Sequence, residues 1–149
     1  MAIRNIITKE NNLLRKKSRA VTEFDERLST LIDDMIDTMY KAEGVGLAAV
    51  QVGVLRRVVV IDCGDGVIEL VNPEIIEREG IQEEVEGCLS LPGESGVTVR
   101  PMSVKVKAQN RDGKWFFYSG TGLKARAFCH ELDHLDGVLY IDNLSPNQD

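Results

Sequence analysis

His130-Glu131-Leu132-Asp133-His134 contains the only two histidines of the chain. On an α-helix, residues four apart stand one above the other on a single face, so the two imidazoles can grip one metal ion. Glu131 lies beside the first of them, where it can reach a metal-bound water and carry protons. The pattern reads as a hydrolase whose metal makes the nucleophile. Two helical histidines can also be plain polar surface, so the rest of the chain has to supply the remainder of a site.

The usual metalloprotease arrangements do not fit. They require a third ligand downstream, commonly Glu or His, and no Glu follows Glu131. Gly137 falls where an extended motif wants a glycine, but its third histidine would fall on Tyr140. Asp136, Asp142 and Asp149 form no ligand pattern. The third ligand is therefore sought upstream, among Cys63, Cys88 and Cys129. Cys129 precedes His130 directly, and adjacent helical residues diverge by about 100°, which turns its thiol away. Cys63 sits in Asp62-Cys63-Gly64-Asp65-Gly66, a strand end entering a turn. Cys88 sits in Glu86-Gly87-Cys88-Leu89-Ser90, where small neighbours allow close approach to a metal. Cys88 is favoured over Cys63. A Cys-His-His set leaves a fourth position open, as catalytic rather than structural zinc sites do.

Three segments, taken in order, resemble the signature motifs of the peptide deformylase family: Gly44-Val45-Gly46-Leu47-Ala48-Ala49-Val50-Gln51, Glu86-Gly87-Cys88-Leu89-Ser90 and His130-Glu131-Leu132-Asp133-His134. The similarity extends from the helix before Gly44 to Leu144-Ser145-Pro146. It implies a bacterial-type, metal-dependent hydrolase that removes the N-formyl group from the N-terminal methionine of newly synthesised proteins. Carried over residue by residue, it implies metal ligands Cys88, His130 and His134. Glu131 becomes the general acid and base, and the Gln51 amide and Leu89 backbone N–H hold the developing oxyanion. The implied native metal is Fe2+, with Zn2+, Ni2+ or Co2+ able to replace it. Substrate backbone is expected to pass beside Gly44 and Gly46, and a pocket formed by Val45, Leu123 and Ala127 is expected to hold the methionine side chain. Glu86 and Arg100 are expected to pair in support. The implied partners are N-formylmethionyl nascent peptides, with a transient ribosome contact. Two features depart from the family pattern: Cys129 stands where Gln is common, and the chain stops fifteen residues after His134, leaving little room for the C-terminal helix of longer members.

Composition agrees. A chain of 149 residues, 43% hydrophobic and 28% charged, reads as one domain over 1–149 with a full core. The net charge of −6 argues against broad nucleic-acid binding. Arg15-Lys16-Lys17 with Arg19 is a small basic cluster read as a solvated face. No run approaches the ~20 apolar residues of a membrane span, and Met1-Ala2-Ile3-Arg4 lacks a signal-peptide core. Three cysteines form no even disulfide framework, which favours a reducing, cytoplasmic setting.

The expected fold is α+β: small mixed, mainly antiparallel sheets packed around a central metal-binding helix, with an N-terminal amphipathic helix. Leu28, Leu31, Ile32, Met35, Ile36, Met39 and Tyr40 form one apolar stripe. That helix should end near Ala42 or Glu43, before a turn at Gly44 and Gly46. Arg57-Val58-Val59-Val60-Ile61-Asp62 is a buried strand. Ile68-Glu69-Leu70-Val71-Asn72 is a second, stopped by Pro73. Val104, Val106 and Ala108 alternate with lysines, and Arg111-Asp112-Gly113-Lys114 turns the chain into a strand at Trp115-Phe116-Phe117-Tyr118. The last helix should start near Thr121 or Gly122 and end by Gly137. On it Leu123, Ala127, His130 and His134 share a face, so Leu123 and Ala127 either line a pocket or pack in the core. Phe128, Leu132 and Leu135 face the core.

Overall fold

The computed structural model describes residues 2–148. Two α-helices and seven strands make an α+β fold. Helix α1 is Glu26–Lys41 and helix α2 is Leu123–His134. The strands are β1 (Gly46–Ala48), β2 (Val58–Ile61), β3 (Ile68–Glu79), β4 (Gln82–Cys88), β5 (Leu91–Arg100), β6 (Ser103–Gln109) and β7 (Trp115–Thr121). Five form a sheet in the order β1-β2-β3-β6-β7, and β4 and β5 form a separate hairpin. Every strand pairing in both sheets is antiparallel.

Strand β2 shows why the helices lie where they do. Its sequence Val58-Val59-Val60-Ile61 is apolar throughout and buried throughout. Val59 and Ile61 pack in a core with Phe128, Cys129 and Leu132 of α2. Val58 and Val60 pack in a second core with Leu28, Ile32, Met35 and Met39 of α1. An alternating strand covers one face, whereas a run apolar on both faces needs cover on both. Asp25 caps α1 by accepting from the Leu28 N–H at 3.1 Å.

Two expectations need correction. Tyr40 does not complete the α1 stripe: it is exposed, and its hydroxyl donates to Asp62. The hydroxyl finds a charged acceptor at the rim, and the ring lies at the surface beside it. Nor does Pro73 stop the second strand, since β3 continues to Glu79. The β3–β6 register shifts between Val71 and Glu74, so Pro73 falls at a bulge where no ladder N–H is needed. Asn72 adopts φ 51° there, and its amide bonds both backbone groups of Val21. Asparagine is among the few side chains that accept this conformation.

The β6–β7 turn is held by Asn110 Oδ1, which accepts from the N–H groups of Asp112 and Lys114. β7 is an edge strand, and Trp115, Phe116 and Phe117 are exposed on it. After α2 the chain turns at Gly137, at φ 74°. A Cβ there would lie 2.4 Å from the Arg15 carbonyl oxygen, so only glycine fits. Arg15 also bonds Gly137 O and Asp142, which ties one member of the basic cluster to the chain end. No helix of the described residues is long and apolar enough to cross a membrane.

Candidate metal centre

The hairpin β4–β5 packs beside α2 with a polar inner face. Gln82, Glu86, Thr98 and Arg100 are all buried. At its tip, β4 ends on Cys88, just past a register shift between Glu86 and Cys88. On the facing helix, His130 and His134 occupy the last turns of α2. One donor atom from each of Cys88, His130 and His134 lies within 4.8 Å of the others. Cys88 Sγ is 3.3 Å from His134 Nε2, and the two imidazoles meet edge to face, 5.0 Å apart. Cys129 is not among these donors. It packs in the α2 core, where burial pushes its thiol up to about 11. Cys63 is half-buried in the turn after β2.

A layer of buried polar groups orients the first histidine. His130 Nδ1 is 2.9 Å from Glu86 Oε1. Glu86 accepts from Arg100 Nε at 2.9 Å, from Arg100 Nη2 at 3.0 Å and from the Thr98 hydroxyl. Arg100 Nη1 then reaches Asp133 Oδ2 at 2.6 Å, so Asp133 is tied into the layer. Burial works against the Glu86 charge, but the hydrogen bonds from His130 and Arg100 and the Arg100 charge overcome it. The carboxyl is held down at about 2. Such outer partners fix the tautomer and ring orientation of a ligating histidine. Tyr140 stacks on the other side of His130, 6.1 Å away and tilted 18°. Burial also opposes a charge on His130, yet Glu131, Cys88 and Glu86 pull it up to about 10, so a metal ion taken up there displaces a proton. Burial and the nearby His130 charge hold His134 neutral, down to about 3.

Glu131 points into the same space. Its Oε1 is buried with no hydrogen-bond partner among the described residues, and burial raises its pKa to about 7. Gly46 makes room for it: a Cβ at that position would sit 2.6 Å from Glu131 Oε2. The Gln51 side chain is anchored by its Oε1, which accepts from the Ala48 N–H at 2.9 Å. Its Nε2 lies 3.1 Å from Ser90 Oγ and 3.6 Å from Cys88 Sγ. A cavity of about 350 Å³ opens beside these groups. Gly44, Val45, Gly46, Leu89, Leu123 and Ala127 all line it, together with Gln51, Cys88, His130 and Glu131.

The donor set suits a cation. A soft sulfur and two imidazole nitrogens converge, and Glu131 Oε1 beside them is buried without a partner among the described residues. Lone pairs gathered in a low-dielectric site are costly unless something shares them. Sequence reading did not find Thr98, Ser90, Tyr140 or Arg126 at this site. Ser90 and Arg126 carry sequence signals: Ser90 closes the Glu86–Ser90 segment, and Arg126 stands one helical turn before His130.

Fold and donor set together describe a hydrolase of the metal-dependent class, with a carboxylate held next to the candidate ligands. A family model described as polypeptide deformylase matches residues 3–149. A peptide deformylase of Alkaliphilus metalliredigens is 60% identical over 144 residues, covering 97% of this chain and 98% of that protein. One from Caldicellulosiruptor bescii is 59% identical, covering 97% and 87%. Among solved structures, a peptide deformylase from Thermotoga maritima superposes with a TM-score of 0.96 at 44% identity, covering 98% of this chain and all of that one. One from Legionella pneumophila gives 0.93 at 50% identity, covering 97% and 88%. The chain belongs to the polypeptide deformylase family. It is a metal-dependent enzyme that removes the N-formyl group from new polypeptides.

Proposed function

We propose that Cys88, His130 and His134 hold one divalent ion and that Glu131 moves the protons of the reaction. The observation that carries this is the convergence of the three donors within 4.8 Å beside the unpartnered Glu131 carboxylate. A bound divalent ion supplies the Lewis acidity that makes water nucleophilic near neutral pH. Glu131 accepts a proton from the attacking water and delivers it to the departing amine. The Gln51 amide and the Leu89 N–H donate to the formyl oxygen as it gains negative charge, each worth ~3 kcal/mol by analogy with other oxyanion holes. Glu86, held by Arg100, keeps His130 in one tautomer.

The substrate is an N-formylmethionyl peptide. Val45, Leu123 and Ala127 receive the methionine side chain, and Gly44 and Gly46 let its backbone lie close. Fe2+ is the native metal in this reading, with Zn2+, Ni2+ or Co2+ able to take its place. Thiolate and imidazole donors suit all four, so supply as well as affinity selects among them. Residues 1–149 act as one catalytic domain, in the cytoplasm where formylated chains emerge, with at most transient ribosome contact and no nucleic-acid or membrane specificity. Anaerobic purification with metal analysis, followed by matched kinetics on formyl-Met-Ala-Ser and acetyl-Met-Ala-Ser, tests the reading. One bound metal and a strong formyl preference are expected. The added methyl displaces the carbonyl from an attack distance of ~3–3.5 Å. Equal kcat/KM for the two peptides would refute it.

A further inference from the structure

We propose that Arg126 is a specificity-determining residue that favours peptides bearing a carboxylate within the two residues after the formyl-methionine. The proposal rests on the reading of the cavity as the peptide-binding site. Among the described residues, Arg126 is the one lysine or arginine that lines this cavity. The other charged side chains along it are Glu43, Glu86, Glu131 and the histidine His130. Glu86 is already paired with Arg100, whereas no carboxylate of the described residues is paired with Arg126.

The guanidinium is held in place rather than free. Gln82 is buried, and its Nε2 donates to the carbonyls of Pro101 and Gly122, both at 2.9 Å. That fixes Gln82 Oε1, which accepts from Arg126 Nη1 at 3.0 Å. Arg126 Nε is buried with no partner among the described residues. With Nη1 on Gln82 and Nε shut off from solvent, Nη2 is the donor left open, and a half-buried cation on the wall of a binding cavity is suited to an anionic group brought by a ligand. The planar fork of arginine matches a carboxylate, and a held fork loses little entropy on engaging one. Glu43 also borders the cavity, but it is exposed and forms no ion pair with Arg126, so solvent and salt screen it more.

The methionine pocket limits which peptide residue Arg126 can read. Arg126 lies four residues before His130, about 6 Å along the axis of α2. An extended peptide advances about 3.4 Å per residue. Leu123 and Ala127, on either side of Arg126 in α2, receive the methionine side chain in this reading, so an anionic group for Arg126 comes from the residues that follow the methionine.

The test uses metal-loaded wild-type enzyme and the variants Arg126→Met and Arg126→Lys. The substrates are formyl-Met-Asp-Ser, formyl-Met-Ala-Asp, formyl-Met-Lys-Ser, formyl-Met-Ala-Lys and formyl-Met-Ala-Ser. For the wild type, kcat/KM is expected to be roughly fivefold higher for the better aspartate peptide than for its lysine counterpart, the size of a partly screened ion pair. The difference lies in KM, because a remote contact holds ground and transition states alike. Added salt shrinks it. Arg126→Met removes the ratio, and Arg126→Lys keeps part of it. An unchanged ratio in Arg126→Met overturns the assignment, as does wild-type turnover of formyl-Met-Ala-Ser without any acid preference. Failure of the wild type to turn over formyl-Met-Ala-Ser would instead overturn the reading of the cavity itself.

Discussion

Replacing Arg100 with leucine removes the guanidinium that holds the Glu86 carboxylate in the protein interior. Both side chains are nearly inaccessible, at 5% and 7% exposure. Glu86 would keep its bonds to His130 and Thr98 but lose two hydrogen bonds and a full positive charge. Removing one partner of a buried pair costs about 3–5 kcal/mol, because the other charge is left without compensation. The depression of the Glu86 carboxyl from 4.5 to about 2 gives a similar scale, about 3 kcal/mol, of which Arg100 supplies only a share. Asp133, the other partner, is 31% exposed and recovers hydration, so it adds little. A loss of about 3 kcal/mol is therefore expected, within the ~5–15 kcal/mol of an ordinary domain. Urea denaturation of metal-loaded Arg100→Leu and wild type at pH 7 measures it, given equal m-values. The pH dependence supplies a second check. In the wild type the depressed carboxyl contributes stability that is complete above about 4.5 and is lost as pH falls toward about 2. In the variant the carboxyl lacks its cation and takes up a proton at higher pH, so the penalty should shrink on acidification. A loss under about 1 kcal/mol at pH 7, or a penalty that grows at lower pH, would refute the reasoning.

Three further outcomes follow from the site. Glu131→Ala should retain metal but lose turnover by about 10²–10⁴-fold, the usual worth of a positioned acid–base group; metal analysis with a formyl-peptide assay reads both. Cys88→Ala should lose the metal, whereas Cys63→Ala and Cys129→Ala should keep it, because only Cys88 lies with the two histidines. Metal content of the three purified proteins decides this, and full occupancy in Cys88→Ala would overturn the ligand set. Gly46→Ala should hold metal and fold, yet lose about 100-fold in kcat. Its Cβ would meet Glu131 Oε2 at 2.6 Å and displace the carboxylate from its working position. A near-wild-type rate would show that this close contact does not set the Glu131 geometry.

Much of the fold is legible where the sequence follows a single period. The α1 stripe from Leu28 to Met39, the apolar run of β2 and the Asp112-Gly113 turn each reflect local rules of burial and backbone conformation. The hairpin β4–β5 is not legible in the sequence, because its inner face is polar. Gln82, Glu86, Thr98 and Arg100 point toward α2, and their sequence resembles an exposed, acidic loop. A buried face is recognisable from sequence only when it is apolar. This one is buried because its charges satisfy one another, and the partners lie 14 residues apart in Glu86–Arg100 and 33 apart in Arg100–Asp133.

The same division applies to the site. By itself, the order of residues pointed to the two-histidine helix, the carboxylate beside its first histidine and the cysteine most suited to join them. Those assignments depend on helical spacing and on the chemistry of each side chain, which are local. Only the tertiary structure decided that Cys88 Sγ meets His134, that Gly46 leaves space for Glu131, that Tyr140 stacks on His130 and that Arg126 lines the cavity without an anionic partner among the described residues. Each of these depends on distances between segments far apart in the chain, set by how the sheet, the hairpin and α2 pack together.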